Sequence, residues 1–153
     1  MTAGAIEKLL RQHRKVGIDT SVFIYQVEEN AKYVEPVDSI FAWLEAPSNS
    51  AVTSTMTMLE LLVRPYQQSD VHLVNKFYAL LSTYPNLEWI SLTLEIADAA
   101  ARLRAEHRLK TPDALQAATA LTARATAFVT NDVVFRRLPG LEVLILDKIL
   151  GTS

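Results

Sequence analysis

The fold is decided by residues 16–24, which read Val16-Gly17-Ile18-Asp19-Thr20-Ser21-Val22-Phe23-Ile24. The first three residues form a short apolar run that suits a buried strand. After Asp19, either Thr20 or Ser21 can cap a helix that continues through Val27. The stretch therefore predicts a strand followed at once by a helix, with a carboxylate at the junction.

Short apolar runs alternate with helical patterns along the rest of the chain. Further strands are predicted at residues 51–53, 87–90, 127–129 and 143–146. Helices are predicted at residues 5–13, from Pro36 to near Pro47, at 55–63 with a stop at Pro65, at 70–82, at 93–107, and from Thr111 as N-cap with Pro112 in the first helical position. Such alternation is typical of strands that are buried on both faces of a parallel sheet.

These elements predict a helix-rich α/β fold, a three-layer α/β/α sandwich around a short parallel central sheet. No low-complexity stretch, internal repeat or linker interrupts the 153 residues. We therefore expect a single domain over residues 1–153, in which residues 1–14 form an N-terminal helical extension.

Composition excludes several classes of function. The chain has no cysteine, which excludes disulfide frameworks, thiolate zinc sites and a cysteine nucleophile. Its formal net charge of −2 excludes the general basic field of a protein that coats nucleic acid. No apolar run approaches the roughly 18 residues that span a bilayer, and the charges near the start follow the apolar patch rather than precede it. We therefore predict a cytoplasmic protein with no membrane partner.

Four carboxylates occupy unusual positions. Asp19 follows the first strand, and Asp132 follows the strand at 127–129. Glu60 lies inside the most apolar helical segment, and Asp113 lies in the first turn of the helix opened by Pro112.

Each of these acids also has a simpler interpretation. Asp19 could cap the following helix, and Glu60 could close a capping box with Thr57. Asp113 is favourable at a helix N-terminus, and Asp132 could begin an Asx turn.

Their joint placement favours a metal site. In an open parallel sheet, ligands bind at the carboxyl ends of the strands. Two carboxylates about 4 Å apart repel by roughly 4 kcal/mol at an effective dielectric of 20, so converging acids must take up protons or surround a divalent cation. Oxygen-only ligands select Mg²⁺, or Mn²⁺ in its place, over zinc. The histidines, His13, His72 and His107, show no ligand spacing and are interpreted as surface or packing residues.

Four segments resemble, in order, the motifs of PIN-domain nucleases. They are residues 18–24, Met58-Leu59-Glu60-Leu61-Leu62, residues 109–120 with Thr111-Pro112-Asp113-Ala114-Leu115, and Phe128-Val129-Thr130-Asn131-Asp132. The likeness extends from Val16 to Leu146, and the size and the third motif are most similar to VapC-type toxins of toxin–antitoxin pairs. The N-terminal helix is not part of the family pattern.

The resemblance implies a Mg²⁺-dependent ribonuclease. Asp19 and Asp113 would be direct metal ligands, and Glu60 and Asp132 would complete the acidic set through a second ion or through water. Thr20, Ser21, Thr130 and Asn131 could hydrogen-bond the carboxylates or a phosphate, or could serve only as helix and turn caps. The resemblance also implies a homodimer and a cognate antitoxin.

The resemblance leaves the RNA contacts to be assigned. The nearby cations are Arg64, Lys110, Arg136 and Arg137, of which the adjacent pair Arg136 and Arg137 is the strongest candidate for holding the strand. The aromatic residues Phe23, Tyr25, Phe41, Trp43, Phe77 and Phe128 are interpreted as core. The apolar helical faces at residues 37–44 and 70–82 are either an antitoxin surface or core packing.

Two alternatives to a toxin stay open, a housekeeping PIN nuclease in RNA processing and a non-catalytic PIN-like scaffold that binds RNA or protein. The full acidic set speaks against the scaffold. A phosphatase with an aspartyl nucleophile would want a second acid two positions after Asp19, where this chain has Ser21.

Overall fold

The computed structural model describes residues 2–151 and contains a five-stranded, fully parallel sheet within that range. The strands are β1 (Lys15–Ile18), β2 (Ser50–Ser54), β3 (Leu87–Ile90), β4 (Ala127–Thr130) and β5 (Glu142–Ile145). Their spatial order is β3-β2-β1-β4-β5, so β1 lies at the centre of the sheet.

Helices connect and cover these strands. They are α1 (Thr2–Leu10), α2 (Thr20–Glu28), α3 (Val34–Leu44), α4 (Thr55–Gln67), α5 (Val71–Thr83), α6 (Leu94–His107), α7 (Thr111–Thr122) and α8 (Leu146–Ile149), with a short 3-10 turn at Val133–Phe135. None of the helices in the described part of the chain is both long enough and apolar enough to span a bilayer.

Alternate residues of the strands build two separate cores. Val16, Ile18 and Val129 point into a core formed with α1 to α5 and α8. Val52 and Phe128 point to the other face, where α6 and α7 cover the sheet. Burial of the central strands on both faces confirms the predicted three-layer α/β/α sandwich with a parallel central sheet.

Helix α7 lies unusually close to β1. A Cβ atom added at Gly17 would lie 2.7 Å from Ala120 Cβ and 2.8 Å from Phe128 Cδ1, so only glycine fits there. Ala114, Ala117 and Ala118 on the same helix are fully buried. Small side chains on both elements therefore let the helix pack directly over the central strand.

Helix α4 corrects the predicted stop at Pro65. The helix continues to Gln67 with Pro65 buried inside it. A proline removes its own N–H from the helix but leaves later donors intact, and the Gln68 N–H still donates to the Arg64 carbonyl at 3.1 Å. Glu60 is therefore in mid-helix, and the cap of α4 is Ser54, so the Thr57–Glu60 capping box is wrong.

Other boundaries move by a few residues. Helix α1 ends at Leu10, short of His13, and its Ile6 and Leu10 are fully buried. Helix α3 begins two residues before Pro36, which occupies a first-turn position where an N–H has no partner in the helix. The N-cap of α7 is Lys110 rather than Thr111, and β5 ends at Ile145.

Candidate active site

An open hollow of about 540 Å³ lies at the carboxyl edge of the sheet, and the structure brings all four singled-out carboxylates to it. Its lining consists of Asp19, Thr20, Ser21, Ile24, Tyr25, Glu60, Asp113, Asn131, Asp132 and Val133. The acids come from the β1–α2 junction, mid-α4, the start of α7 and the segment after β4. Residues that are up to 113 positions apart in the chain therefore share one surface.

Asp19 is the most buried of the four acids, with 9% of the residue exposed. It is the N-cap of α2, and its carboxylate accepts from the Thr20 N–H at 2.8 Å. Its other oxygen accepts from the Thr130 hydroxyl at 2.7 Å. Asp19 is thus held from both neighbouring elements, and neither Thr20 nor Ser21 is the helix cap.

Glu60 is exposed, but its carboxylate accepts hydrogen bonds from buried side chains. Thr20 Oγ1 donates to Glu60 Oε1 at 2.7 Å, and Gln116 Nε2 lies 3.3 Å from the same oxygen. Gln116 is buried on α7 and also donates to Thr57 Oγ1 at 2.9 Å. A buried network of two threonines and one amide therefore orients a carboxylate that faces solvent.

Asp113 and Asp132 form the outer side of the hollow. Asp113 is half-buried in the first turn of α7. Asp132 is exposed, and its carboxylate accepts from the Val134 N–H at 2.9 Å as the cap of the 3-10 turn. The Thr130 hydroxyl accepts from the Asp132 N–H at 3.1 Å, which links this loop to the bond that Thr130 makes with Asp19.

Burial and neighbouring negative charges raise the pKa values of Asp19 and Asp113. Burial, aided by the charges of Glu60 and Asp113, raises the pKa of Asp19 to about 6, although the hydrogen bonds from Thr130 and Thr20 oppose the shift. Burial, followed by the charges of Asp132 and Glu60, also raises the pKa of Asp113, whereas Lys110 lowers it. Without a compensating cation, ionisation of these two carboxylates is therefore less favourable than it would be in water.

Two further lining residues have different surroundings. Ser21 Oγ is buried and has no hydrogen-bond partner among the described residues. The Asn131 amide donates to the Tyr25 hydroxyl at 2.9 Å and its oxygen accepts from the Asp147 N–H at 2.8 Å. Asn131 therefore joins the end of β4 to α2 and α8, while Ser21 has an unused hydroxyl at the hollow.

The donor set fits a hard divalent cation. The carboxylates are oxygen ligands, they repel one another, and the buried Ser21 oxygen has spare hydrogen-bonding capacity. Among residues 2–151, no three His, Asp or Glu side chains are grouped closely enough to hold a metal ion by themselves. Mg²⁺ keeps several of its waters and takes only one or two carboxylates directly, so an open arrangement of this kind suits it.

The predicted RNA-binding cations lie on different sides of the hollow. Arg64 lines a neighbouring pocket together with Glu60, and Lys110 directly precedes α7 close to Asp113. Arg136 and Arg137 are exposed and line a cleft of about 370 Å³ beyond Asp132.

The histidines and aromatic residues lie mainly outside the hollow. His13 contacts Thr126 Oγ1 at 2.7 Å and Glu142 at 2.9 Å, away from the hollow, and His72 and His107 are exposed. Phe23, Phe41, Phe77 and Phe128 are buried as predicted, whereas Tyr25 and Trp43 are only half-buried. Tyr25 lines the hollow and stacks on Tyr33 with ring centroids 4.0 Å apart.

Gln116 is the residue that the sequence analysis missed. It follows Asp113 by three positions, and residues at that spacing share a helix face. A polar side chain inside the otherwise small and apolar face of α7 was the available signal. Thr57, fully buried on the facing helix, belongs to the same network.

Comparison with known proteins identifies the family and agrees with the fold. The profile of one family, described as PIN domain, matches residues 16–141. A solved toxin–antitoxin complex from Klebsiella pneumoniae contains a chain 26% identical to this one, with a TM-score of 0.66 over 86% of this chain and 97% of that one. VapBC2 from Rickettsia felis, solved bound to a DNA fragment from its promoter, superposes with a TM-score of 0.65 at 19% identity, over 84% and 96% of the two chains. Among curated proteins, none matches this chain in sequence.

Proposed function

The chain belongs to the PIN-domain family, and from that premise we propose that it is a Mg²⁺-dependent ribonuclease, the toxin of a toxin–antitoxin pair. The observation that carries the proposal is the convergence of Asp19, Glu60, Asp113 and Asp132 on one hollow at the carboxyl edge of the sheet. Acids that repel one another in a cleft destabilise the folded protein unless a bound cation or protonation of a carboxylate offsets the repulsion.

The four acids have distinct roles in this proposal. Asp19 and Asp113 hold the ion directly, because Asp19 is anchored on both oxygens and Asp113 faces it from α7. Glu60 and Asp132 hold a second ion or water on either side. When bound, Mg²⁺ supplies positive charge against the phosphate and activates the water that hydrolyses the phosphodiester bond. Mn²⁺ is expected to substitute for it.

The hydroxyl and amide residues behind the acids set their orientation. Thr130 fixes the Asp19 carboxylate, and Thr20 with Gln116 fixes Glu60. Partners of this kind commonly change metal affinity or activity by about 10- to 100-fold when they are removed. Ser21 Oγ is buried and makes no hydrogen bond to the acids among the described residues.

The similar structure from Klebsiella pneumoniae supports an antitoxin partner. That structure is a toxin–antitoxin complex, and we propose that this chain is likewise held inactive by a small cognate protein in the cytoplasm. The face at residues 37–44 does not serve as its docking surface, because Val37, Ile40, Phe41 and Leu44 are buried in the core. A homodimer of this chain is part of the proposal and is tested by light scattering of the purified protein.

The central experiment is incubation of the purified protein with total RNA, with and without a chelator, followed by mapping of the cut ends. We expect defined cuts that require Mg²⁺ and that disappear in Asp132→Asn, a substitution at an exposed position that leaves the fold intact. Undiminished cleavage by Asp132→Asn would remove that residue from the mechanism. Absence of cleavage by the wild-type protein under all metal conditions would refute the proposed activity.

A further inference from the structure

A second cleft, next to the acidic hollow, has the opposite charge. It lies between the end of α6 and the segment after the 3-10 turn, and it encloses about 370 Å³. Arg108 lines one wall, and Arg136 and Arg137 line the other. We call this feature the arginine cleft. Buried Leu109 and Leu138 form its apolar base.

The charge of the arginine cleft is not neutralised within the protein. Among residues 2–151, no carboxylate lies within ion-pair distance of Arg108, Arg136 or Arg137. Glu106 also lines the cleft, but its carboxylate lies nearest to His107 Nε2, at 3.8 Å, rather than within ion-pair distance of an arginine. Three guanidinium groups against one carboxylate leave a net positive surface in a chain whose formal net charge is −2.

The backbone holds two of these arginines in place. Arg108 ends α6 in the left-handed conformation, with φ of 57°, and its N–H donates to the Arg104 carbonyl. Arg136 Nη1 donates to the Val133 carbonyl at 3.0 Å, which ties its guanidinium to the 3-10 turn. The Arg136 guanidinium is therefore held by a hydrogen bond, and the Arg108 side chain starts from a fixed backbone conformation.

The arginine cleft adjoins the acidic hollow, because two chain segments contribute residues to both sites. On one wall, Val133 lines the hollow and its neighbour Val134 lines the cleft. On the other wall, the cleft residue Leu109 is four positions before Asp113 of the hollow. Val133 and Val134 are 50% and 40% exposed, so an apolar ridge separates the two sites.

From this arrangement we propose that the arginine cleft binds the sugar–phosphate backbone of single-stranded RNA on one side of the scissile phosphate. The inference rests on the proposed ribonuclease function and adds the path that the RNA strand takes away from the scissile phosphate. Guanidinium groups pair with phosphate through two parallel hydrogen bonds, and a polyanion needs such contacts beside a site that is lined with carboxylates. The strand passes from the hollow over the Val133–Val134 ridge into the cleft.

The test measures binding separately from cutting. A fluorescent single-stranded RNA of about 20 nucleotides is titrated with Asp113→Asn protein, in which cleavage is expected to be lost, at a series of KCl concentrations. Each lost phosphate contact lowers the slope of log Kd against log salt by about 0.7 for a single strand. We expect this decrease for Arg108→Asn and for Arg137→Ser, and about twice the decrease for the double variant.

Matched controls separate this effect from loss of net charge or of folding. Arg14→Ser removes the same charge at the amino end of β1, outside both sites, and should leave the slope unchanged. Arg108→Asn keeps a residue that tolerates the left-handed conformation, and Arg137 makes no described side-chain hydrogen bond, so thermal melting should show folded proteins.

The direction of the strand has its own readout. With wild-type protein, removing nucleotides from one side of the mapped cut should reduce kcat/KM strongly, and the double arginine variant should be insensitive to that same truncation.

An unchanged salt slope in the arginine variants would overturn the inference, even if the wild-type protein cleaves RNA. Loss of binding to an antitoxin peptide with an unchanged RNA slope would assign the cleft to protein recognition and would also overturn it. Failure of the wild-type protein to cleave RNA counts against the proposed function rather than the cleft.

Discussion

Asp19 combines structural contacts with the proposed metal-binding role in one carboxylate. It caps α2 through the Thr20 N–H and accepts from Thr130, which are stabilising contacts. Its burial beside Glu60 and Asp113 opposes ionisation. The helix cap and the metal ligand are therefore not competing interpretations of this residue, because the same geometry serves both.

The metal-free protein should become more stable as the pH falls from 7 towards 4. The pKa of Asp19 is about 6 in the folded state against an ordinary value of 3.8, so between these values the folded state binds more protons than the unfolded state. This term contributes roughly 2 kcal/mol over that range. Urea unfolding in chelator at several pH values measures it, with Asp19→Asn as the comparison. Equal pH dependence in the two proteins would contradict the shift.

Gln116 should act through Glu60 rather than on the substrate. Gln116→Met keeps the buried volume but removes the donor 3.3 Å from Glu60 Oε1, and we expect kcat to fall by about 10-fold and KM to change little. The Mg²⁺ concentration for half-maximal rate should rise, which a purely structural defect would not produce. Gln67→Met, at an exposed position on α4, is the control. A normal metal requirement in Gln116→Met would exclude the positioning role.

At the scale of elements, the close packing of α7 on β1 decides where the acids meet. Asp113 is carried by α7 and Asp19 by the end of β1, so the distance between these two elements sets the width of the hollow. Gly17, Ala120 and the buried alanines of α7 permit that approach. The glycine is therefore required by the space around it, since it is not among the glycines with positive φ.

Gly17→Ala should destabilise the protein by about 1 to 3 kcal/mol, the usual cost of overpacking a core. The added methyl group meets Ala120 at 2.7 Å and Phe128 at 2.8 Å, and both are held by the sheet and α7. Gly4→Ala in α1 is the matched control, because nothing lies within 4 Å of its Cβ and alanine favours a helix. We therefore expect Gly17→Ala to lower the free energy of unfolding and Gly4→Ala to raise it, and urea unfolding of both variants measures these changes. A neutral Gly17→Ala would mean that α7 can move outward at little cost.

At the scale of the whole molecule, stability should be linked to metal. A cation that binds only the folded protein stabilises it by about 2.7 kcal/mol when its concentration is 100 times Kd. Mg²⁺ and Mn²⁺ should therefore raise the Tm of the wild-type protein. Asp19→Asn and Asp113→Asn should lose most of that increase, while Asp98→Asn, an exposed substitution on α6, should retain it. An undiminished metal effect in both site variants would rule out direct ligation.

The order of strands and helices was predictable because hydrophobic periodicity reports burial locally. The apolar runs at residues 16–18 and 127–129 lie in β1 and β4, and the third motif opens α7. The course of α4 past Pro65 was not predictable, because its cost depends on how the carbonyl four residues earlier and the buried ring are accommodated. The local sequence pattern around Pro65 carries no information about those contacts.

By itself, the amino-acid sequence determined the alternation of strands and helices, the layered parallel sheet and the identity of the four unusually placed acids. Only the tertiary structure decided what supports and surrounds those acids. It brought Gln116 to within 3.3 Å of Glu60, from a position 56 residues away, and it set Arg108 opposite Arg136 and Arg137 across one cleft. The physical reason is that periodicity encodes which side of an element is buried, whereas the distance between side chains of different elements depends on how closely those elements pack.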